Sequence, residues 1–406
     1  MQDSSTLLRT LPADVLDDPR PGDAWERCAL AQAGDAELVD AVAAAIAAPK
    51  VTASSSFVLH APMELMARAR LLALAPPAAR PEGRRRIAEI ATRYARSGPE
   101  VEPAARSYAD EAAALSALAT AIPASDVDEA DVALRWLLER SRVATLLPAL
   151  ADAVIPALGA AVHAPILLSM FLRTPGLGEA YGALLRAPLR YLTQQGSSRL
   201  TWPTNAAARS TPTAGDLADA LLSPPRVDSP SASIAPTMRA VETDGFAERL
   251  LAGPTQDLVL KDAERVLLRI AAWSMLQDDP AHAPYGWTHC LTMPQGVLAL
   301  AAVAQDQRAA IRVAATHVLG FRATLGRVAL DLERPLPTVA APEGIDAVRL
   351  NLAGNAVAHP DAHLAKYTLA CFDAADRDPE AASLFLAAAA YLRDWWEENP
   401  NAGFGD

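Results

Sequence analysis

Apolar residues recur three and four positions apart along most of this chain, the spacing that places them on one face of an α-helix. Two examples run from Arg84 to Arg96 and from Asp257 to Leu276. Stretches in which Val, Ile or aromatic residues alternate with polar ones are scarce. The pattern predicts an all-α protein, and we expect residues 1–406 to form a single large multi-helix domain.

A long apolar stretch runs from Val143 to Phe171 and is long enough for a membrane-spanning helix. It also contains Asp152, His163 and three prolines. These residues are costly for a lone helix in lipid. We therefore predict a buried central helix, or a broken pair of helices, rather than a membrane span.

Between residues 194 and 238 serine, threonine and proline crowd together. One short helix, from Ala214 to Leu222, is predicted within this stretch. Such a composition is typical of a linker or of a long functional loop. Because the helical motifs on either side resemble one another, we favour a loop or lid over a flexible tether.

Charge and cysteine content limit the possible partners and compartment. The formal net charge of −12 argues against binding to nucleic acid or to an anionic membrane surface. The three cysteines have neither the spacing of a metal site nor that of a disulfide framework, as expected in a reducing compartment. Met1–Thr10 lack the basic start and apolar core of a signal peptide. We therefore expect a cytoplasmic protein, and the sequence does not indicate its oligomeric state.

The segment Asp361–Tyr367 combines a histidine with a rare lysine. A helix is predicted to start at Pro360, because proline suits the first turn of a helix. His363 and Lys366 then lie close to one face of that helix. Only three of the 36 basic residues are lysines, namely Lys50, Lys261 and Lys366.

Three further histidines lie in similar helical settings. His60 and His163 each begin the tripeptide His-Ala-Pro, and Pro62 and Pro165 are each predicted to remove a helical hydrogen bond and kink the helix. His289 is followed five residues later by a proline. Kinked central helices with imidazoles near the bend suit convergence on a metal site, as in helical metal proteins. The alternative is a set of separate core histidines, each hydrogen-bonded locally.

A lysine can join a metal site when its neutral amine reacts with carbon dioxide to form a carbamate, in effect a carboxylate on a long arm. This reaction needs a lowered lysine pKa, and both burial and a nearby helix N-terminus act in that direction. The alternative for Lys366 is a snorkelling lysine, or one that pairs with a carboxylate such as that of Asp361 or Asp373.

Three motifs resemble, in order and spacing, those of the questin oxidase-like family: His163-Ala-Pro-Ile-Leu-Leu, His289-Cys-Leu-Thr292 and Asp361-Ala-His363-Leu-Ala-Lys366. His60 stands where that family has a helical N-terminal histidine. The resemblance implies an oxygenase that opens a ring of a small aromatic, anthraquinone-type polyketide with dioxygen. It also implies a non-haem Fe(II) centre held by four histidines and a lysine carboxylated by CO2, which here would be His60, His163, His289, His363 and Lys366.

Two positions depart from the family pattern, and both are expected to face the substrate. Leu167 stands where the family often has a basic residue or a histidine, and Gln295 stands where a second histidine is common. The substrate could therefore differ. Thr292, one turn after His289, is a candidate catalytic residue that could hydrogen-bond a bound oxygen species, unless its hydroxyl bonds to its own helix.

The donor set alone leaves other functions open. Imidazole with a hard oxygen ligand suits iron, manganese or zinc, so the same residues could hold zinc for hydrolysis. A non-catalytic helical binding protein with structural histidines is a further alternative. His317, in another amphipathic helix, is expected to be a core residue and is the first substitute if one proposed ligand is wrong.

Overall fold

The computed structural model describes residues 32–51, 57–102, 104, 106–174, 181–205, 213–231, 233–255, 257–337 and 344–402. Met1–Thr10, where no signal peptide is expected, lie outside these residues. The α-helices of the described part are α1 Asp35–Ala45, α2 Phe57–Leu74, α3 Arg80–Ala95, α4 Glu111–Ala124, α5 Val127–Leu138, α6 Val143–Val154, α7 His163–Arg173, α8 Arg186–Gln194, α9 Trp202–Asn205, α10 Ala214–Leu222, α11 Ile234–Glu242, α12 Phe246–Thr255, α13 Leu260–Gln277, α14 Thr288–Ala301, α15 Gln307–Thr324, α16 Ile345–Ala358, α17 Ala362–Arg377 and α18 Ala382–Glu398.

Within these residues the chain forms helices and no strands. The only sheet-like pairing there consists of two isolated bridges, Lys50 with Glu100 and Ala157 with Arg199. The prediction of an all-α fold is confirmed. One buried core joins helices from both halves of the chain, so the described part is a single compact domain. None of its helices is long and apolar enough to cross a membrane.

The apolar stretch from Val143 to Phe171 forms α6 and α7, which confirms the prediction of a broken helix pair. Ala160, Ala161 and Val162 lie between the two helices, with φ angles of 50°, 47° and 60°. These left-handed angles are incompatible with a continuous right-handed helix. The break places the start of α7 at His163.

The proline predictions have different outcomes. Pro165 is the third residue of α7, where a backbone N–H has no helical partner. The prediction that Pro165 removes a hydrogen bond to Ala161 and kinks its helix is therefore wrong. Pro62 does lie inside α2, and the kink predicted there stays a prediction.

Helix α14 is completely enclosed, since every residue from Thr288 to Ala301 is buried. Its sequence contains no charged residue, which suits a helix that meets protein on all sides. Helices α7, α13, α15 and α17 pack around it.

The contact between α14 and α7 depends on Gly296. A Cβ atom at this position would lie 3.0 Å from backbone atoms of Pro165 and Ile166. A side chain therefore fits only if the two helices move apart. Gly296 thus limits the separation between the helix that carries His163 and the helix that carries His289.

Two arginines of α2 connect it to helices near the end of the described chain. Arg68 is completely buried, pairs with Glu64 at 2.6 Å and donates a 2.7 Å hydrogen bond to the main-chain oxygen of Val357 on α16. Arg70 donates hydrogen bonds of 3.0 and 2.6 Å to the carboxylate of Asp373 on α17. These contacts hold α2 beside α16 and α17.

About half of the described part of residues 194–238 is helical. It contains α9 and α10 and the first residues of α11, and α10 has the predicted bounds, Ala214–Leu222. Leu217, Leu221 and Met238 are completely buried against the core. The short helix predicted from Ala214 to Leu222 is present, α9 and the start of α11 were not predicted, and the role of this stretch as a loop or lid stays a prediction.

Two helix boundaries near the lysine motif also differ from the prediction. Helix α17 begins at Ala362 rather than Pro360, because Asp361 caps it and accepts a 2.6 Å hydrogen bond from the backbone N–H of His363. The preceding helix, α16, was not predicted, since its apolar residues do not concentrate on one face.

Candidate metal centre

The predicted ligands lie near the N-terminal ends of four helices. His163 is the first residue of α7, whereas His289 and His363 are the second residues of α14 and α17. His60 lies in the first turn described for α2, and Lys366 follows His363 by three residues. The starts of these helices therefore bring together residues that are far apart in sequence.

The four imidazole rings contact one another in a closed cycle. The ring centroid of His60 lies 4.6 Å from that of His163 and 4.7 Å from that of His363. The centroid of His289 lies 5.5 Å from that of His163 and 5.2 Å from that of His363. We call these four residues the histidine cluster.

Two rings of the histidine cluster are held from outside by main-chain oxygens. His163 Nδ1 lies 2.9 Å from the main-chain oxygen of Ala160, and His289 Nδ1 is hydrogen-bonded to that of Tyr285. Because a carbonyl oxygen only accepts, each Nδ1 carries the proton and each Nε2 of the neutral ring presents a lone pair. The Nε2 atom of His289 is buried and has no hydrogen-bond partner among the described residues.

Asp361 orients a third ring. Its Oδ1 atom lies 3.1 Å from Nδ1 of His363 as well as capping α17. Burial acts to raise the pKa of the Asp361 carboxyl, but its hydrogen bonds to His363 outweigh burial and lower this pKa to about 2. The ionised carboxylate accepts a hydrogen bond from the protonated Nδ1, so Nε2 of His363 is left with a lone pair. Such outer partners are typical of metal-bound histidines.

The surroundings keep the imidazoles of the histidine cluster uncharged. Burial lowers the pKa of His163 to about 3, and burial with the charge of Lys366 holds the pKa of His60 well below its usual value. Burial and the neighbouring imidazoles also hold the pKa of His289 well below its usual value. Burial and Lys366 lower the pKa of His363, although Asp361 acts in the opposite direction. Neutral imidazole is the form that binds metal.

Lys366 lies beside the histidine cluster with only 4% of its surface exposed. Burial lowers the pKa of its amine to about 8, although Asp361 and Glu64 act to raise it. A lowered pKa increases the fraction of neutral amine, the form that reacts with carbon dioxide.

The two carboxylates considered as partners for Lys366 are engaged elsewhere. Asp361 binds His363, and Asp373 pairs with Arg70 and Arg173. Neither carboxylate is therefore an exclusive partner of Lys366, although Asp361 acts to raise the pKa of its amine.

The spacing of the donor atoms is not that of an assembled metal site. Among the described His, Cys, Asp and Glu side chains, no group of three is arranged to hold a metal ion. The Nε2 atoms of His60 and His163 lie 2.7 Å apart, the distance of a hydrogen bond, whereas two nitrogens each about 2.0–2.1 Å from one ion lie roughly 3 Å apart or more. The fit to a metal rests on the donor types, their neutral state and their outer partners.

A narrow cleft opens beside the histidine cluster. Helices α7, α14 and α17 form its walls. His289, His363 and Lys366 line it, together with an apolar surface and a charged pair. The apolar surface includes Ile166, Met170, Leu369 and Ala370, and the charged pair is Arg173 with Asp373.

The predicted catalytic residue lies in the wall of this cleft. The Thr292 hydroxyl donates a 2.9 Å hydrogen bond to the main-chain oxygen of Thr288, one turn earlier in the same helix. Its proton is thus used within α14, so in this conformation Thr292 can accept a hydrogen bond but not donate one. Its catalytic role stays a prediction.

The two positions that depart from the family pattern lie in different places. Gln295 lines the cleft, as expected for a residue that faces the substrate, and its amide donates a 2.8 Å hydrogen bond to the main-chain oxygen of Ala370. Leu167 is completely buried and does not line the cleft. Gln295 is therefore the better candidate for an influence on substrate choice.

His317 lies apart from the histidine cluster. It is 0% exposed on α15, and burial alone lowers its pKa to about 3. Among the described residues it makes no ring contact with the four clustered histidines, and neither of its ring nitrogens has a hydrogen-bond partner. It is a core residue, as predicted, and it does not replace a member of the cluster in this arrangement.

Sequence reasoning missed two residues of the site. Asp361 was considered as part of a family-like motif and as a partner for Lys366, but not as an N-cap, although an Asp just before a helix is a typical one. Arg173 was not considered, yet it follows His163 by ten residues and so lies near the same face of α7.

No protein-family model, curated protein or solved structure matches this chain. The resemblance to the questin oxidase-like family therefore stays an interpretation of three short motifs and one further histidine. The structure adds that the four histidines at these positions contact one another beside Lys366.

Proposed function

We propose that this chain is a non-haem iron-dependent oxygenase that oxidises, or opens a ring of, a small aromatic polyketide-like substrate with dioxygen. The observation that carries the proposal is the closed cycle of four neutral imidazoles beside a buried lysine. Imidazole suits iron(II) as well as zinc. The motif resemblance favours iron.

The proposed ligands are His60, His163, His289, His363 and Lys366. Main-chain oxygens and Asp361 fix three of the rings with Nδ1 protonated, which leaves Nε2 as the metal-binding atom. The fifth ligand would form when the neutral Lys366 amine attacks carbon dioxide, with formation of a C–N bond and release of one proton. The product is a carbamate whose oxygens can bind metal. Iron(II), when bound, would supply the one-electron chemistry that dioxygen needs to react with an organic molecule.

The walls of the cleft would bind and position the substrate. Ile166, Met170 and Leu369 offer an apolar surface to an aromatic body and exclude water from it. The substrate would lie between this surface and α14, where Gln295 is the polar group held in a fixed orientation.

Metal analysis and oxygen uptake, on protein purified without a histidine tag, test this proposal. We expect near-stoichiometric metal and, after anaerobic loading with iron(II), consumption of oxygen on addition of an aromatic polyketide. Absence of stoichiometric metal would exclude both the oxygenase and the zinc hydrolase and would leave a helical binding protein. Hydrolysis by the zinc-loaded protein, without oxygen uptake by the iron-loaded protein, would favour the hydrolase.

A further inference from the structure

The cleft beside the histidine cluster has two chemically different ends. Along α7 the residues that line it are Ile166, Ser169, Met170 and Arg173, which follow His163 by three, six, seven and ten residues. Along α17, Lys366 and Asp373 follow His363 by three and ten residues, and both line the cleft. Both helices therefore start at the histidine cluster and reach the ion pair of Arg173 and Asp373 ten residues later.

The two ends of the cleft are separated by most of the length of α7. Ten residues of α-helix rise about 15 Å, and side chains lean back towards the helix N-terminus, so the guanidinium lies somewhat closer to the imidazoles. The surface between the two ends is mostly apolar, with Ile166, Met170 and Leu369 among its residues.

Most polar groups of the cleft are already hydrogen-bonded to the protein. The hydroxyls of Ser169, Thr288 and Thr292 each donate to a main-chain oxygen of their own chain segment, and the Gln295 amide donates to Ala370. These groups contribute little to the recognition of a charged ligand.

Arg173 differs from them because one of its N–H donors has no partner among the described residues and its positive charge is not fully neutralised. Its Nη1 lies 3.3 Å from the Asp373 carboxylate and its Nη2 donates to the main-chain oxygen of Gln295 at 3.2 Å, but its Nε is buried without a partner in the described part of the chain. The same carboxylate also takes two hydrogen bonds from Arg70. Two guanidinium groups therefore share one carboxylate, which leaves one positive charge in excess.

We propose that Arg173 binds an anionic oxygen group of an otherwise apolar substrate and anchors it at the end of the cleft opposite the histidine cluster. The substrate class is accordingly an aromatic acid or a phenolate, rather than a neutral hydrocarbon or a cation. The inference rests on the proposed function, which identifies the histidine cluster as the reacting end. Arg173 is a specificity-determining residue in this arrangement.

Calorimetric titration with 2-naphthoate and its neutral isostere 2-naphthamide tests the inference. Because a hydrogen bond to a charged group contributes more than a neutral one, we expect the wild-type protein to bind the acid about ten- to a hundredfold more tightly than the amide. This comparison needs no variant. Equal affinities for the two compounds, or binding of neither, would overturn the inference.

Two variants localise the effect. Arg173→Gln should lose the preference for the acid while it keeps its affinity for the amide, and Asp373 remains paired with Arg70 in this variant. Arg265→Gln removes the same charge from a 40% exposed arginine outside this cleft and should keep the preference. An unchanged preference in Arg173→Gln, or an equal loss in both variants, would also overturn the inference.

The outcome can be distinguished from failure of the proposed function. Metal content and oxygen uptake of the same wild-type preparation do not depend on the two naphthalene probes. Metal-loaded, oxygen-consuming protein without acid preference contradicts the role of Arg173 alone. Acid preference that requires Arg173, in protein that neither binds metal nor consumes oxygen, supports the anion site and contradicts the oxygenase.

Discussion

The Nε2 atoms of His60 and His163 lie 2.7 Å apart, although the two residues are separated by 103 positions in the sequence. His163 carries its proton on Nδ1, which is bonded to Ala160, so its Nε2 accepts and Nε2 of His60 donates. His60 must move or release that proton before its Nε2 can bind a metal. The hydrogen bond between the two rings is therefore incompatible with metal binding through both Nε2 atoms at once.

Lys366 and Lys261 form a matched pair for a test of the carbamate. Lys366 is buried beside the histidine cluster, whereas Lys261 is exposed on α13. We expect Lys366→Ala to lose most of its bound metal, because the variant lacks the carbamate, the only proposed ligand with a negative charge. Lys261→Ala should keep its metal. Elemental analysis of both untagged variants provides the measurement, and equal metal content in the two would refute the carbamate.

Variants at Asp361 and Asp306 distinguish the effect of orienting His363 from the effect of capping a helix. Each carboxylate caps a helix, α17 and α15 respectively, and accepts a hydrogen bond from a backbone N–H. Substitution of either by Ala should lower the free energy of unfolding by about 1 kcal/mol. Only Asp361→Ala also releases Nδ1 of His363, so its metal affinity should fall about 10- to 100-fold.

Chemical denaturation and metal titration of both variants measure these effects. If Asp306→Ala lost as much metal affinity as Asp361→Ala, the effect would come from general destabilisation and not from the orientation of His363.

Gly296 controls how closely α14 and α7 approach. A methyl group there would crowd the backbone of Ile166, at a cost of about 1–3 kcal/mol. Alanine also favours a helix over glycine by about 1 kcal/mol, so we expect a net destabilisation of about 1 kcal/mol in Gly296→Ala. The variant should also bind less metal, since His163 and His289 are moved apart.

Gly215→Ala is the control for this variant. Gly215 lies in α10, and a Cβ atom there would meet only the Thr213 hydroxyl oxygen, at 3.4 Å. Urea unfolding should show no loss of stability in Gly215→Ala. A Gly296→Ala protein that is as stable and as metal-rich as the wild type would show that the two helices can separate without cost.

Because His317 is buried, we expect the free energy of unfolding to depend on pH. Its pKa is about 3 in the folded chain, because it is buried, against an ordinary value of 6.5 when unfolded. Between these values the unfolded chain binds a proton that the folded chain does not, so the free energy of unfolding falls as the pH falls below 6.5. At pH 5 this loss amounts to about 2 kcal/mol.

His317→Leu removes that loss. The free energy of unfolding of the variant minus that of the wild type should be about 2 kcal/mol larger at pH 5 than at pH 8. Urea unfolding at both pH values gives the measurement, and the difference at pH 8 accounts for the change in packing. The same difference at pH 5 and pH 8 would contradict the assignment of His317 as a buried neutral residue.

Local patterns in the sequence were sufficient for the helical fold and for a first choice of site residues. Helix α10 was predicted with its observed bounds, and the apolar stretch around His163 was predicted as a buried helix or a broken helix pair. Such features depend on neighbouring residues only, which explains why they can be read from sequence.

The features that were missed depend on contacts across the fold. Helix α16 has no amphipathic pattern, and it is held in part by Arg68 from α2, 289 positions away from its partner Val357. The excess charge at Arg173 likewise arises because Arg70 shares the carboxylate of Asp373. No local spacing rule predicts these pairings, since they are set by how the helices pack.

The pairing of Arg70 with Asp373 joins residues that are 303 positions apart. At a synthesis rate of about 5–20 residues per second, α2 leaves the ribosome on the order of 15–60 s before its partner on α17 is made. During that interval Arg68 lacks its acceptors on α16, and His60 lacks the imidazole of His363. A partly synthesised chain therefore exposes the surface of α2 without the complete histidine cluster, and the cluster can form only after the last of its helices has been made.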